Sequence, residues 1–242
     1  MRRWLLVVLA LGAACSAKSD ASPVAAVKPA TTTTTSTSTT LAPTTTTAAP
    51  TTSTQPPRVR HVKDTGFAPF LDAQGVTLNY PTQRVEVVGF HESNRAGARV
   101  LQPLPGVTGT IVMPTRDRNT NPQGAADVES DPLGEVRSPV SGVVKRGGTY
   151  TLYCKYTDSY LVIAPDAHPD WEVKLLHIAG LRVAAGQRVV AGETKVADHP
   201  NRLPFVSDVE QFSAPPVWPH VHVEVDDPAI KNPPGVGGKG CS

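Results

Sequence analysis

The 242-residue sequence predicts an all-β domain, an antiparallel β-sheet sandwich or barrel-like sheet, carried after a long disordered linker. Three observations predict it. From residue 58 onward, short runs rich in Val, Ile, Leu and Tyr recur at close intervals. Gly and Pro punctuate the gaps, and no segment shows the apolar period of a long amphipathic helix. Upstream of them, a charge-free stretch of Thr, Ser, Pro and Ala cannot bury enough apolar surface to offset its ordering entropy.

In chain order, residues 1–15 read as a secretion signal. Arg2 and Arg3 form a positive start, Trp4 to Leu11 an apolar run, and Gly12-Ala13-Ala14 a small-residue stretch before Cys15. The apolar run is too short to cross a bilayer. An ordinary signal peptide with an incidental Cys15 is one reading. The small residues ending at a cysteine are also similar to the lipobox of bacterial lipoproteins, although Gly12 stands where that motif has Leu. That resemblance implies a lipid on Cys15 and a chain anchored to the outer face of the bacterial cell membrane. Residues 16–57 form the linker. Fully extended it would span about 130 Å, and as a random coil about 35 Å. Its Thr-rich composition suits O-glycosylation or a plain spacer.

Residues 58–242 are enough for one domain with a substantial core. Strands are predicted over Arg84–Phe90, Thr110–Met113, Val136–Val144, Tyr150–Tyr156, Tyr160–Ala164, Trp171–Ile178, Gln187–Val190 and His220–Val225. Residues 58–109 read as an N-terminal β extension of no recognisable role, residues 110–232 as the main β domain, and residues 233–242 as a flexible Gly-rich tail. A net charge of +2 without a basic stripe argues against nucleic acid as a partner. If Cys15 carries lipid, Cys154 and Cys241 remain, either as a disulfide pair or as two free thiols.

The chemistry-bearing signal is Pro219-His220-Val221-His222-Val223-Glu224-Val225. Strict alternation puts His220, His222 and Glu224 on one face of a strand and the three valines on the other. Two imidazoles on one sheet face can converge on a metal ion or a polarised water. A second candidate, His177, ends the apolar run Glu172-Val173-Lys174-Leu175-Leu176. A strand turning through Gly142 and a later hairpin on Gly186, closed near Gly192, complete the pattern.

Such paired sheet motifs occur in lipoyl/biotinyl carrier domains, but residues 145–182 lack the Met-Lys-Met turn those domains modify. The Pro-His-x-His-x-Glu run and the His-ended strand resemble instead the LytM/lysostaphin-type zinc peptidoglycan endopeptidases. The resemblance covers Thr110 to Glu224. It implies Zn2+ as cofactor, peptidoglycan cross-link peptides as substrate, catalytic roles for His177 and His220, and zinc ligation by His222. Asp127 stands 15 residues before Gly142, the position of that family's Asp ligand. Four residues earlier, the family's first His ligand is Gln123 here. A neutral amide oxygen is a poor donor for zinc, and a catalytic site needs three protein ligands. His91 and Glu129 are the two candidate replacements. His91 is otherwise a surface His at a strand end. His61, His168 and His199 fall in polar or Pro-flanked loops and receive no role. Two functions follow: a zinc metalloendopeptidase, or a non-catalytic groove that binds wall peptides or regulates a separate cell-wall hydrolase.

Overall fold

The computed structural model describes residues 58–237. The signal segment, Cys15, the linker and Cys241 lie outside the described residues. The described chain forms fifteen strands and one 3-10 turn, Val209–Phe212. In order the strands are β1 (Lys63–Asp64), β2 (Pro69–Ala73), β3 (Val76–Asn79), β4 (Arg84–His91), β5 (Gln102–Pro103), β6 (Thr110–Val112), β7 (Ala125–Ser130) and β8 (Val136–Arg137). There follow β9 (Gly142–Leu152), β10 (Tyr156–Pro165), β11 (Glu172–Leu176), β12 (Ile178–Leu181), β13 (Arg188–Val189), β14 (Lys195–Pro200) and β15 (His220–Asp226). The fold is all-β, as the sequence predicts. No helix among the described residues is long and apolar enough to cross a membrane.

The main sheet has nine strands in the order β1-β4-β7-β15-β11-β10-β9-β13, with β6 added beside β4. All its pairings are antiparallel except β4 with β6. It is open, not closed into a barrel. Two three-stranded sheets, β12-β14-β8 and β3-β2-β5, complete the fold. The core joins all three sheets. Val88, Phe90, Val128, Val173, Leu175, Val221 and Val223 from the main sheet pack in one cluster with Phe70, Leu71 and Leu78 of β2 and β3 and with Val136 and Val196 of β8 and β14. Alternation then sends the intervening residues of β4, β7, β11 and β15 to the opposite face.

Three predicted strands divide differently, Trp171–Ile178 among them: it breaks at His177 into β11 of the main sheet and β12 of a small one. Val136–Val144 is not one strand: β8 belongs to a small sheet and β9 to the main one. Residues 138–141 turn between them, where the Ser138 hydroxyl bonds the Val140 carbonyl and Pro139 cannot donate to a ladder. Tyr150–Tyr156 is the tip of the β9–β10 hairpin, whose loop holds Tyr153 and Cys154 at φ of 49° and 58°. The tail is also held at its start. Asn232 donates to the Asn94 carbonyl at 2.8 Å, and Asn119 donates to the Gly235 carbonyl at 3.2 Å. Cys154 is disulfide-bonded, and the chain's other two cysteines both lie outside the described residues.

The turn expected at Gly142 falls just before it, and Gly142 opens β9. It pairs with Pro165 on β10 and with Val189 on β13, while the Gly186 amide bonds the Val144 carbonyl at 2.8 Å. A Cβ at Gly142 would sit 2.1 Å from the Ala164 carbonyl oxygen, which is backbone and cannot step aside. Gly142→Ala should therefore cost about 3 kcal/mol and lower Tm by roughly 6–12 °C for a domain of this size. Thermal unfolding followed by circular dichroism checks this, and an unchanged Tm would mean the β9–β10 contact is looser than the structure has it.

Candidate metal centre and cleft

The outer face of the main sheet gathers polar groups. Asp127 on β7 lies between its cross-strand partners, Gly89 on β4 and His222 on β15. The next residue on that face of β4 is His91, and the next on β15 is His220. These positions are roofed, so Asp127, His91, His220 and His222 are all buried. Part of the roof is apolar: Val209 of the 3-10 turn packs with Met113 and Val87. Gly89 makes room for it, since a Cβ there would lie 2.9 Å from Met113 Sδ and 3.0 Å from Val209 Cγ2.

Two imidazoles meet one carboxylate oxygen. His222 Nδ1 lies 2.9 Å and His91 Nε2 3.1 Å from Asp127 Oδ1, and the donor atoms of the three residues all fall within 4.8 Å of one another. His91 Nδ1 lies 2.8 Å from the Glu92 carbonyl, an acceptor, and 3.1 Å from Arg116 NH1, a donor, so both tautomers find a partner there. With its proton on Nε2, His91 donates to Asp127; with the proton on Nδ1, the Nε2 lone pair faces the carboxylate oxygen, the arrangement in which a metal ion fits between them. Tetrahedral zinc with imidazole and carboxylate ligands separates donor atoms by about 3.3 Å. Small side-chain adjustments reach that spacing, and the donor set of two imidazoles and one carboxylate fits zinc. Burial opposes the charge of Asp127, yet His91 and His220 hold its carboxyl well below the usual range. Burial likewise opposes charge on His222, but the Asp127 hydrogen bond and Glu224 raise it to about 9.

Beside this centre lie the two other imidazoles. His177 and His220 have ring centroids 4.8 Å apart, edge to face. His177 occupies the single residue between β11 and β12, where the chain leaves the main sheet for a small one. It does so at φ 60°, a strained conformation for a residue with a Cβ. Its Nδ1 donates to Asp158 Oδ2 at 2.6 Å. Asp158 is fixed in turn by the Tyr150 hydroxyl at 2.7 Å and by Asn201 Nδ2 at 2.8 Å. Burial pushes the His177 pKa down, more than Asp158 lifts it. Asp158 is held at about 2, against its own burial, chiefly by the His177 hydrogen bond. The pair is thus a neutral imidazole on an ionised carboxylate, with the proton on Nδ1 and a lone pair on Nε2. His220 Nδ1 contacts the Ser207 hydroxyl at 3.2 Å, and Glu210 accepts the Ser207 amide at 3.1 Å.

The centre and both further imidazoles line one cleft of about 450 Å³. Its lining includes the apolar Leu152, Tyr153, Leu203 and Phe205 and the cationic Arg95, Arg116, Arg118 and Lys174. Glu92, the residue after His91, organises the segment that carries Arg116 and Arg118. Its carboxylate accepts the amides of Arg116 at 2.8 Å and Arg118 at 3.1 Å and the Thr115 hydroxyl at 2.9 Å.

Of the residues singled out in the sequence, the structure brings together Asp127, His222, His220, His177 and His91. His91 is 2% exposed, so the surface reading of it fails. Gln123 does not join them: its amide donates to the Leu101 carbonyl at 3.3 Å. Glu129 shares the face of Asp127 but points to the covering segment, accepting the Trp218 amide at 3.0 Å, and burial raises its pKa to about 7. It is not a ligand. His61, His168 and His199 do not line the cleft. Sequence reasoning missed Asp158, Glu92 and the cleft's cations, Arg95, Arg116, Arg118 and Lys174. Asp158 left no signal: in Tyr156-Thr157-Asp158-Ser159-Tyr160 it falls between two predicted strands, in a polar stretch that reads as a turn.

Fold and site together define an all-β domain with a buried His-Asp-His donor set on the outer face of its main sheet. No family model, curated protein or solved structure matches the chain.

Proposed function

We propose that the chain is a cell-envelope zinc endopeptidase of the LytM/lysostaphin type, cutting peptide cross-links in peptidoglycan. The observation that supports this most is the convergence of His91 and His222 on Asp127 in a cleft that also holds His177 and His220. Four imidazoles and a carboxylate buried around one cleft are costly unless they are used, because each buried polar group needs a partner. Zinc on the three donors would supply an activated water and a Lewis acid for the scissile carbonyl. His177, its tautomer fixed by Asp158, offers Nε2 to take up or return a proton. His220, steadied by Ser207, provides a donor for the developing oxyanion. With a lipid on Cys15 and the linker as leash, the domain would patrol wall within about 35–130 Å of the membrane.

Arg116 favours a second reading, a groove that grips wall peptides or governs a separate hydrolase without cutting. Its guanidinium lies 3.5 Å from Asp127 Oδ2 and 3.1 Å from His91 Nδ1, a fixed positive charge beside the ligand set that weakens cation binding.

Metal analysis and wall digestion together separate the two. The purified full-length protein, dialysed against trace zinc, should hold about one ion per chain and release cleaved peptides from purified walls, and His222→Ala should lose both. Intact walls with no bound metal would leave the gripping role alone.

A further inference from the structure

The four cations of the cleft are not equivalent. Arg95 Nε lies 3.3 Å from Asp226, Lys174 Nζ 2.9 Å from both Glu224 and Asp226, and Arg116 Nε 2.9 Å from Asp208. Each therefore has a carboxylate partner. Arg118 has none within ion-pair distance among the described residues. Its only acceptor there is a neutral one, the Glu92 carbonyl, which takes NH1 at 2.7 Å. Burial and the neighbouring Arg116 charge press against its guanidinium, and the more distant Asp127 and Glu92 carboxylates offset them only in part. A half-buried guanidinium has five N–H donors, and one carbonyl satisfies only part of that fork.

The loop beneath Arg118 is built to hold it in place. Glu92 grips the amides on both sides of Asp117, which adopts φ 54°, and Asn119 follows at φ 57°. These bonds hold the loop backbone, and the NH1 bond to the Glu92 carbonyl holds the guanidinium at the cleft. The apolar lining residues Leu152, Leu203 and Phe205 offer it no charge, and the carboxylates of the cleft all lie beyond ion-pair distance of it.

We infer that Arg118 reads a carboxylate on the substrate, so that the cleft selects a peptide bearing a free carboxylate near the bond to be cut. This rests on the peptidase reading for the word "cut", but the selectivity itself is a binding property. A planar guanidinium and a carboxylate match in a two-point contact. A carboxamide at the same position would turn one N–H toward Arg118 and lose both the charge and one acceptor. Bridges made only of glycine, with no side-chain carboxylate, would gain nothing from Arg118.

The test compares two probes on the full-length protein: a fluorescein-labelled synthetic wall stem peptide with one free side-chain carboxylate, and the same peptide amidated there. Fluorescence anisotropy reads Kd without turnover. The acid form should bind about tenfold tighter or more, as expected for a hydrogen bond to a charged group. Arg118→Met should bring the two peptides to within about twofold, and Arg118→Lys, which keeps charge without the fork, should retain part of the preference. Zinc content should be the same in all three proteins. Equal binding of both peptides by the unmodified protein would overturn the inference, as would a preference that survives in Arg118→Met. If the preference is present and depends on Arg118 while neither peptide is ever hydrolysed, the carboxylate site stands and the peptidase reading falls.

Discussion

His91→Ala should strip the centre of its metal: zinc falls from about one ion per chain to less than one tenth, and release of wall peptides drops about 100-fold or more. Removing even an outer-shell partner of a metal ligand costs about 10–100-fold, and removing one of three ligands leaves Asp127 and His222 alone. Gln123→Ala is the matched control. Its amide serves the Leu101 carbonyl, so zinc content and activity should stay within about twofold of the unmodified protein. His91→Asp supplies a replacement donor on the same strand and should recover part of the zinc, which separates loss of a ligand from loss of fold. Zinc retained at one per chain in His91→Ala would show that a donor other than His91 completes the site.

The route by which His91 reaches the centre explains why the sequence is ambiguous about it. Val85 lies in the core, and plain alternation from there would put residues 87, 89 and 91 in the core as well. The β4–β7 register shifts between Val85 and Val88. That bulge places Glu86 and Val87 together on the outer face, where Glu86 meets Arg60 and Val87 meets Met113 and Val209. Val88 and Phe90 then return to the core, and Gly89 and His91 face Asp127. A bulge is invisible to a count of apolar residues, because Val87 and Val88 are equally good strand formers. On β15 no such shift intervenes, so His220, His222 and Glu224 are legible at once from their alternation with Val221, Val223 and Val225. The boundary drawn at residue 110 fails to describe the sheet for a related reason. β4 pairs with β7 inside the main sheet, and such long-range pairing leaves no local trace. The roof over the site is equally hidden, since residues 201–219 are mostly irregular and only their packing reveals them as a cover.

Asp158→Asn should lower kcat by roughly 10³- to 10⁴-fold while leaving zinc at about one per chain, the loss seen when a catalytic imidazole is pushed into the wrong tautomer. Asp158 sits on β10, two strands from β15, and touches none of the three ligand residues, so the metal donors keep their geometry. Its two oxygens are fully engaged. Oδ2 accepts from His177 and Tyr150, and Oδ1 from Asn201. The variant's carboxamide carries no charge and offers one acceptor oxygen for two contact sites. With that oxygen on Asn201 Nδ2, its NH2 group meets His177 Nδ1, and two donors cannot share that contact. His177 then moves its proton to Nε2, and the lone pair needed in the cleft is lost; with the amide turned the other way, the negative charge that holds the Nδ1 proton is lost instead. A purely structural role for Asp158 predicts something else: a loss of stability of about 1–3 kcal/mol from the unmatched buried groups with kcat largely kept. Measuring kcat, KM, zinc content and Tm on the same preparation separates these outcomes. The decisive readout is the split, because a tautomer effect falls on kcat and leaves KM near its original value. If kcat survives within tenfold, His177 is not the group that moves the proton, and His220 becomes the residue to test next.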